Sequence, residues 1–491
     1  MLCLGMTAGS AFARIELLDG KLVLHGKVQE TLIMPTHDNF TPNQLHDYEI
    51  HNLRTSIKLE AMLHVGQGEK YQFNIYSIWK NYYDFARDVD AGYRHYVQDF
   101  SGHRGFKEFQ YYRKFDDICR ELYAELLHPL FQIRVGKQVI SWGETTFQRM
   151  ADIINPVDTR GMMNPVMPDF SELKQGLWMF RFYYTNPDMW QQMTFDFLVI
   201  PDYQPMVIFP AGHHMMHQSA FNAFAAPNEM FRPNYRDKPK TWGSPELAVK
   251  IRGFSWGVDW SLQYIYHRPD SPIYREGKAF EAQMAAVFGT RARDVKRYGW
   301  QSTIAATFNK PINKKIPIIP GTTLAMSGIV FSGEFVWEKD RDVNQQVGMD
   351  VRVREVDRYA GVLGWDCKIF LPYITPYFRN KYLGVGMQLF TEWVPDRHRA
   401  DAIYPWVTYR GKGHHFSALQ MSWNYMVWHS RIILGGNINY QLTEGNTATA
   451  WTIAFKPTFK WTYSIVYSNY LEYGPETDKG DQIVFDVMYE F

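Results

Sequence analysis

Residues 483–491 read IVFDVMYEF, and this stretch decides the fold. Phe485, Val487, Tyr489 and Phe491 fall on one face of an extended chain, and Val484, Asp486, Met488 and Glu490 fall on the other. An apolar face set against a partly polar one, ending on an aromatic with a second aromatic two residues before it, is the pattern of the closing strand of a Gram-negative outer-membrane β-barrel. Such strands alternate with period two over roughly ten residues, apolar toward lipid and polar toward the lumen. Phe485, Val487, Tyr489 and Phe491 are accordingly read as the membrane-insertion signal met by the barrel-assembly machinery. The alternation by itself also suits an antiparallel strand ending a soluble β-protein, so the rest of the chain must decide.

Composition narrows the choice. The chain has 491 residues, 16% aromatic and 21% charged, with a formal net charge of +1. That balance lacks the basic footprint of a nucleic-acid binder. No run of about twenty apolar residues follows the N-terminus, which excludes a helical span. The mean hydropathy of −0.35 leaves a barrel open, because only every second residue of a barrel strand faces lipid. Residues 1–13, MLCLGMTAGSAFA, are apolar and end in Ala11-Phe12-Ala13, the pattern of the end of a secretory signal peptide cleaved after Ala13; the basic region that opens such a signal is missing. Beyond it only Cys119 and Cys367 remain, too few and too far apart for a disulfide framework or a metal motif, and no CxxCH motif attaches haem. No cofactor is expected.

Strand-like segments recur from end to end without an interdomain linker, so residues 14–491 read as a single domain. In an early segment Leu53, Thr55, Ile57, Leu59, Ala61, Leu63 and Val65 share a face opposite Arg54, Ser56, Lys58, Glu60 and His64. Phe73, Ile75 and Trp79 then alternate with Gln72, Asn74 and Lys80, and the GQGEK link at 66–70 suits a hairpin turn. Further segments are 22–32, 131–140, 178–184, 192–200, 246–252, 258–266, 300–308, 325–337, 359–370, 382–393, 416–425, 431–442, 449–455, 461–470 and 483–491. The expected fold class is all-β, a transmembrane antiparallel β-barrel of about 16 strands within a range of about 14–18, since single-chain bacterial barrels use even numbers. Closure removes every edge strand and satisfies the backbone inside lipid.

Three long irregular stretches, 84–118, 144–175 and 201–245, are the places for loops folded outside or into the lumen. The third contains PMVIFPAGHHMMHQSAFNAFAAPNEMF, which suits a short apolar helix in the mouth or lumen, or one packed against the rim. Within it His213, His214 and His217, interleaved with Met215 and Met216, are weak metal candidates whose spacing fits no specific motif.

Residues 130–161 read LFQIRVGKQVISWGETTFQRMADIINPVDTRG, and here the chain resembles the outer-membrane barrel family catalogued as domain-of-unknown-function family 1302. The matching residues are Gly136, Gln138, Trp142, Gly143, Asn155, Pro156 and Asp158, with support from Leu177-Trp178-Met179, the Pro-containing stretch after Ile200 and the aromatic strands through Phe491. Lys137 stands where the family pattern has Arg. The resemblance covers nearly the whole mature chain. It implies a barrel working with an outer-membrane lipoprotein and an inner-membrane transporter of the resistance-nodulation-division type, in the movement of lipidic or other hydrophobic compounds. No catalytic residue comes with it.

Read from the residues alone, Ile133, Val135 and Val139 form a lipid face while Arg134, Gln138 and Trp142 point inward. Lys137 then falls on the wrong face for mid-membrane, where a cation costs about 2–4 kcal/mol. Either Gly136 marks a bulge that re-aims it or it snorkels from an interface. Asn155, Pro156 and Asp158 form a turn signal, either a structural clamp or a substrate contact. The inward set Arg54, Lys58, Glu60, His64, Gln72, Asn74, Arg134, Gln138 and Trp142 is the candidate lumen-lining site. Its mixed charge disfavours a strongly ion-selective pore, and the same residues suit a network that pairs within itself. No nucleophile elbow, phosphate loop or zinc helix occurs, so an enzyme is not expected. The expectation is an outer-membrane channel or transporter of a Gram-negative bacterium, in contact with outer-membrane lipid, for hydrophobic or lipidic compounds. The alternative is a sleeve holding a partner such as a lipoprotein or an electron-transfer cytochrome.

Overall fold

A computed structural model of the chain describes residues 15–35, 50, 52–91, 110–145, 150–161, 170–186, 188–189, 192–207, 242–270, 273–276, 296–312, 314–318, 324–347, 350–371, 382–395, 401–402, 415–428, 430–443, 445–471 and 481–491. Eighteen strands form one closed antiparallel sheet. They are β1 Leu22–Pro35, β2 Asn52–Gln67, β3 Gln72–Asp84, β4 Cys119–His128, β5 Phe131–Gln138, β6 Leu177–Thr185, β7 Thr194–Ile200, β8 Glu246–Ser255 and β9 Val258–His267. The second half comprises β10 Gln301–Ile312, β11 Ala325–Val347, β12 Asp350–Phe370, β13 Tyr382–Trp393, β14 His415–Val427, β15 Ile432–Gln441, β16 Thr447–Phe455, β17 Trp461–Leu471 and β18 Gln482–Glu490. Each strand pairs with its neighbour in sequence, and β18 closes on β1 through Lys27↔Glu490 to Pro35↔Gln482. No helix among the described residues is long and apolar enough to cross a membrane.

The strand total lies at the top of the expected range, and the strand missing from the sequence reading is β4. Its CRELYAELLH is rich in helix formers, and a register irregularity opposite Ile78 and Trp79 breaks its alternation at Arg120. Two other strands run further than their apolar pattern: β11 and β12 continue beyond Trp337 and Tyr359 as a paired ribbon to Val347↔Asp350. Residues 338–358 carry charge on both faces, so nothing in their periodicity marks them as strand.

The last residue extends the closing pair. The Gly26 and Phe491 backbones exchange hydrogen bonds of 2.7 and 2.8 Å. The Phe491 ring lies so close over Gly26 that a Cβ there would meet it at 2.1 Å. Glycine is therefore the residue that lets the terminal aromatic seal the seam. Outside, the apolar band is continuous, with Ile57, Leu262, Leu363 and Ile453 all exposed. Aromatic rows bound it. One holds Trp337, Tyr359 and Trp393, with centroids 6.1 and 5.6 Å apart. The other, toward the C-terminus, holds Trp461, Tyr489 and Phe491, with centroids 4.8 and 6.2 Å apart. This is the girdle arrangement of a barrel whose outer surface meets lipid and whose ends meet water.

The connections differ between the two ends. At one end the links are short, as at 68–71, 129–130, 256–257 and 428–431; at the other lie 85–118, 139–176, 201–245 and 268–300.

Candidate functional site in the lumen

The link between β5 and β6 enters the barrel. Asn155, completely buried, holds its two ends together: its Oδ1 accepts from Ile140 N at 2.7 Å, and its Nδ2 donates to the carbonyls of Gln138 at 3.0 Å and Gln175 at 2.7 Å. Pro156 O accepts from Gln175 N and Leu173 O from Asp158 N, both at 2.8 Å. The Asp158 carboxylate is occupied by Arg160, which also reaches Asp117 at 2.9 Å. The geometry is that of a clamp, tying the segment to itself through Asn155 and to Asp117 through Arg160.

From this base the segment follows the inner wall. Trp142 is buried, its indole donating to Asp196 at 3.0 Å, while Arg181 grips the same carboxylate at 2.9 and 2.7 Å. The Trp142 carbonyl accepts from Lys250 of β8 at 2.8 Å and Gln263 of β9 at 3.1 Å. Further on, Glu334 of β11 accepts backbone N–H groups of Glu144, Thr145 and Ala151 at 2.5, 2.7 and 2.8 Å. Asn309 of β10 donates to the Glu144 carboxylate at 2.6 Å. Apolar contacts reinforce both landings. Ile140, Trp142 and Ile154 pack with Leu198, Ala248 and Ile265, while Met150 and Ala151 pack with Val336, Val362 and Phe390. The segment thus follows the inner wall from β5 past β7, β8, β9 and β10 to β11, and narrows the lumen along that arc.

Its other end meets β2, β3 and β4. Glu172 accepts from Lys58 at 2.9 Å, Lys80 at 3.2 Å and Arg120 at 3.2 Å. Burial alone pushes the Glu172 carboxyl up, but Lys80, Lys58 and Arg120 outweigh it and hold the group well below the usual carboxylate range. Tyr112, which lies beneath the Arg160 guanidinium, is pushed up mainly by burial.

The residues expected to line the lumen do face inward, and most bond to one another. Arg54 donates to Arg160 O at 2.6 Å, and Lys58 contacts Glu60 at 2.8 Å as well as Glu172. His64, Gln72 and Asn74 form a cluster that Asn74 extends to Glu125 at 3.2 Å, and Arg134 contacts the same Glu125 at 2.7 Å. Gln138 is buried against Met179 O at 3.1 Å. On the terminal strand Phe485, Val487, Tyr489 and Phe491 lie on the outer face beside Leu32, Glu30, Val28 and Gly26.

One reading of Lys137 is corrected. The ladder runs through Gly136 on both sides without a shift, so no bulge re-aims it. It is buried, and its Nζ donates to Asp116 O at 2.6 Å. Gly136 has φ +138° and a Cβ there would meet Leu122 O at 2.3 Å, so its role is close backbone approach. Strand β5 ends at Gln138, so Val139 is not part of its lipid face. His213, His214 and His217, with the rest of 208–241 and residues 1–13, lie outside the described residues. Among the described residues no cluster of His, Cys, Asp and Glu is disposed to hold a metal ion. Arg120, Glu172 and Glu334 were missed by sequence reasoning, because each lies in a segment without alternation or is one of many inward charges.

No curated protein matches the sequence. Among solved structures, the chain is similar to a BenF-like porin from Pseudomonas fluorescens Pf-5 (TM-score 0.48, 10% identity, 96% of this chain and 98% of that one). It is also similar to Pseudomonas aeruginosa OccK5, or OpdH (TM-score 0.48, 8% identity, 96% and 98%), and to Acinetobacter baumannii OccAB2 (TM-score 0.46, 9% identity, 96% and 98%). Residues 10–491 match the family described as "Protein of unknown function (DUF1302)", and the chain belongs to that family.

Proposed function

We propose that this protein is an outer-membrane barrel of a Gram-negative bacterium that passes hydrophobic or amphipathic compounds through a gated lumen, without covalent chemistry of its own. The observation that carries the reading is the luminal segment fastened along the inner wall as far as Glu334 of β11. A lumen narrowed in this way suits controlled passage better than a standing water-filled pore, and the apolar landings beside Trp142 and Met150 give an amphipathic solute surfaces to follow. A lipoprotein and an inner-membrane transporter are the partners this reading carries. Planar-bilayer recording should show a closed or low-conductance baseline, and liposomes holding the folded protein should pass a lipidic probe. A large steady conductance would replace the gated reading by an open porin, and no passage would remove transport. A second reading, a sleeve that holds a partner, is favoured by one feature, the β11–β12 ribbon that continues ten residues of β11 past Trp337. Stoichiometric recovery of a partner from native membranes, abolished by trimming the ribbon, is its test.

A further inference from the structure

Lys27, Lys58 and Lys80 lie directly opposite one another in three adjacent strands, through Lys27↔Lys58 and Lys58↔Lys80, all on the inner face. Like charges in one row of a sheet repel. Arg120 of β4 joins them, its side chain nine-tenths buried and its Nε without a hydrogen-bond partner among the described residues. Against these four cations stand Glu490 at the end of the row, Glu60 beside Lys58, and Glu172, which the luminal segment carries in. A cavity of about 30 Å³ borders Lys80, Arg120 and Glu172. The aspartates on its other side are already engaged, Asp116 by Lys137, and Asp117 and Asp158 by Arg160.

We propose that Lys58, Lys80 and Arg120 form a binding site for the anionic head of an amphiphile, a carboxylate or a phosphate monoester, and that Glu172 closes the lumen by occupying this site from within. The wall supplies three cations from three strands, and the luminal segment supplies one carboxylate that touches all three. An incoming anion offers the same oxygens, and its binding frees the segment at this end. The inference deepens the transport reading and rests on it for its purpose, although the site itself is testable alone.

The test is calorimetric titration of the full-length protein in detergent with hexanoate, hexyl phosphate and hexanol. Glu172→Gln should bind hexanoate or hexyl phosphate at least tenfold more tightly than the unaltered chain and leave hexanol unchanged. Adding Lys80→Met should return the anion affinity to its starting value. Whichever anion gains more names the headgroup. Equal binding of anion and alcohol by Glu172→Gln, or indifference to Lys80→Met, overturns the proposal. Should Glu172→Gln not fold, the unaltered protein decides: hexanoate should raise its conductance and hexanol should not, and equal responses overturn the site. Anion binding in a protein that passes no probe would keep the site and remove the transport reading; passage without anion binding would do the reverse.

Discussion

The inner surface has two unlike walls. Along the row that crosses β18, β1, β2 and β3 stand Glu490, Lys27, Lys58 and Lys80, every position charged. Along the row that crosses β12 to β18 stand Asp366, Gly386, Ser422, Asn437, Ala450, Ser468 and Gln482, one charge among small and amide side chains. The charged wall is the one the luminal segment touches with Glu172, and β8–β11 take its Trp142 and Glu144 end. The difference teaches that the segment is held at its two ends by different physics. Near β2–β4 it is held by ion pairs, which an anion can replace. At β11 it is held by backbone N–H groups converging on one buried carboxylate that the wall itself supplies.

The largest effect is therefore expected from Glu334→Ala. It strands three N–H groups at the far landing, and hydrogen bonds to a charged group contribute about 1.5–3 kcal/mol each, so the landing loses on the order of 3 kcal/mol or more. The comparison then predicts a large, steady conductance in planar bilayers from a barrel that still migrates as folded. A conductance equal to that of the unaltered chain would mean that the ion-paired end, not β11, holds the segment.

Next comes the pH response of the ion-paired end. The carboxyl of Glu172 is held below its ordinary value, so its stabilisation is complete above the unfolded-state pKa of about 4.3 and is lost only as pH falls through the lower folded value. Conductance should thus stay constant from pH 7 to about pH 4, and rise only in stronger acid. Opening near pH 5 would place control with another group and blunt the contrast between the walls.

How much of this was legible in the sequence follows from what alternation reports. Ile57, Leu59 and Val65 face lipid, Arg54, Lys58 and Glu60 face the lumen, and both sets were readable because lipid imposes period two on the outer face. Where lipid is absent the signal fails. Residues 338–358 extend β11 and β12 outside the apolar band, and β4 loses its alternation at Arg120. The residues around Asn155 were readable as a turn and as a structural clamp, but the partners it joins, Gln138 and Gln175, were not, because those contacts depend on the path of the chain inside the barrel. The facing of Lys58 and Lys80 was readable, whereas their direct opposition depends on hairpin register, which the bulge between His64 and Gly66 shifts by one residue. Glu172 had no local signal at all.

A smaller effect is expected on the quiet wall. Ala450 is completely buried between Asn437 and Ser468. Ala450→Phe overfills this packed row, and such insertions cost about 1–3 kcal/mol. Thermal unfolding should come earlier, while the anion affinity of the Glu172→Gln background stays the same. A change in that affinity would show that the two walls are coupled.

The smallest effect lies on the outer face, where one row carries a charge. Phe455, Tyr463, Val487, Glu30, Thr55 and Tyr83 are successive partners across β16 to β3, from the foot of β16 to the upper end of β3. Glu30 is midway along this row, and the Thr55 hydroxyl donates to its two oxygens at 2.7 and 2.8 Å. A carboxylate facing lipid costs less than the roughly 2–4 kcal/mol of a midplane cation. Glu30→Leu should therefore raise the unfolding midpoint modestly, by about 1 kcal/mol of stability, and leave conductance and anion binding unchanged, because the walls that hold the luminal segment lie on the other side of the sheet. A lowered midpoint would show that the bond with Thr55 outweighs the cost of a carboxylate facing lipid, and the contrast that matters would then include the outer surface as well as the two inner walls.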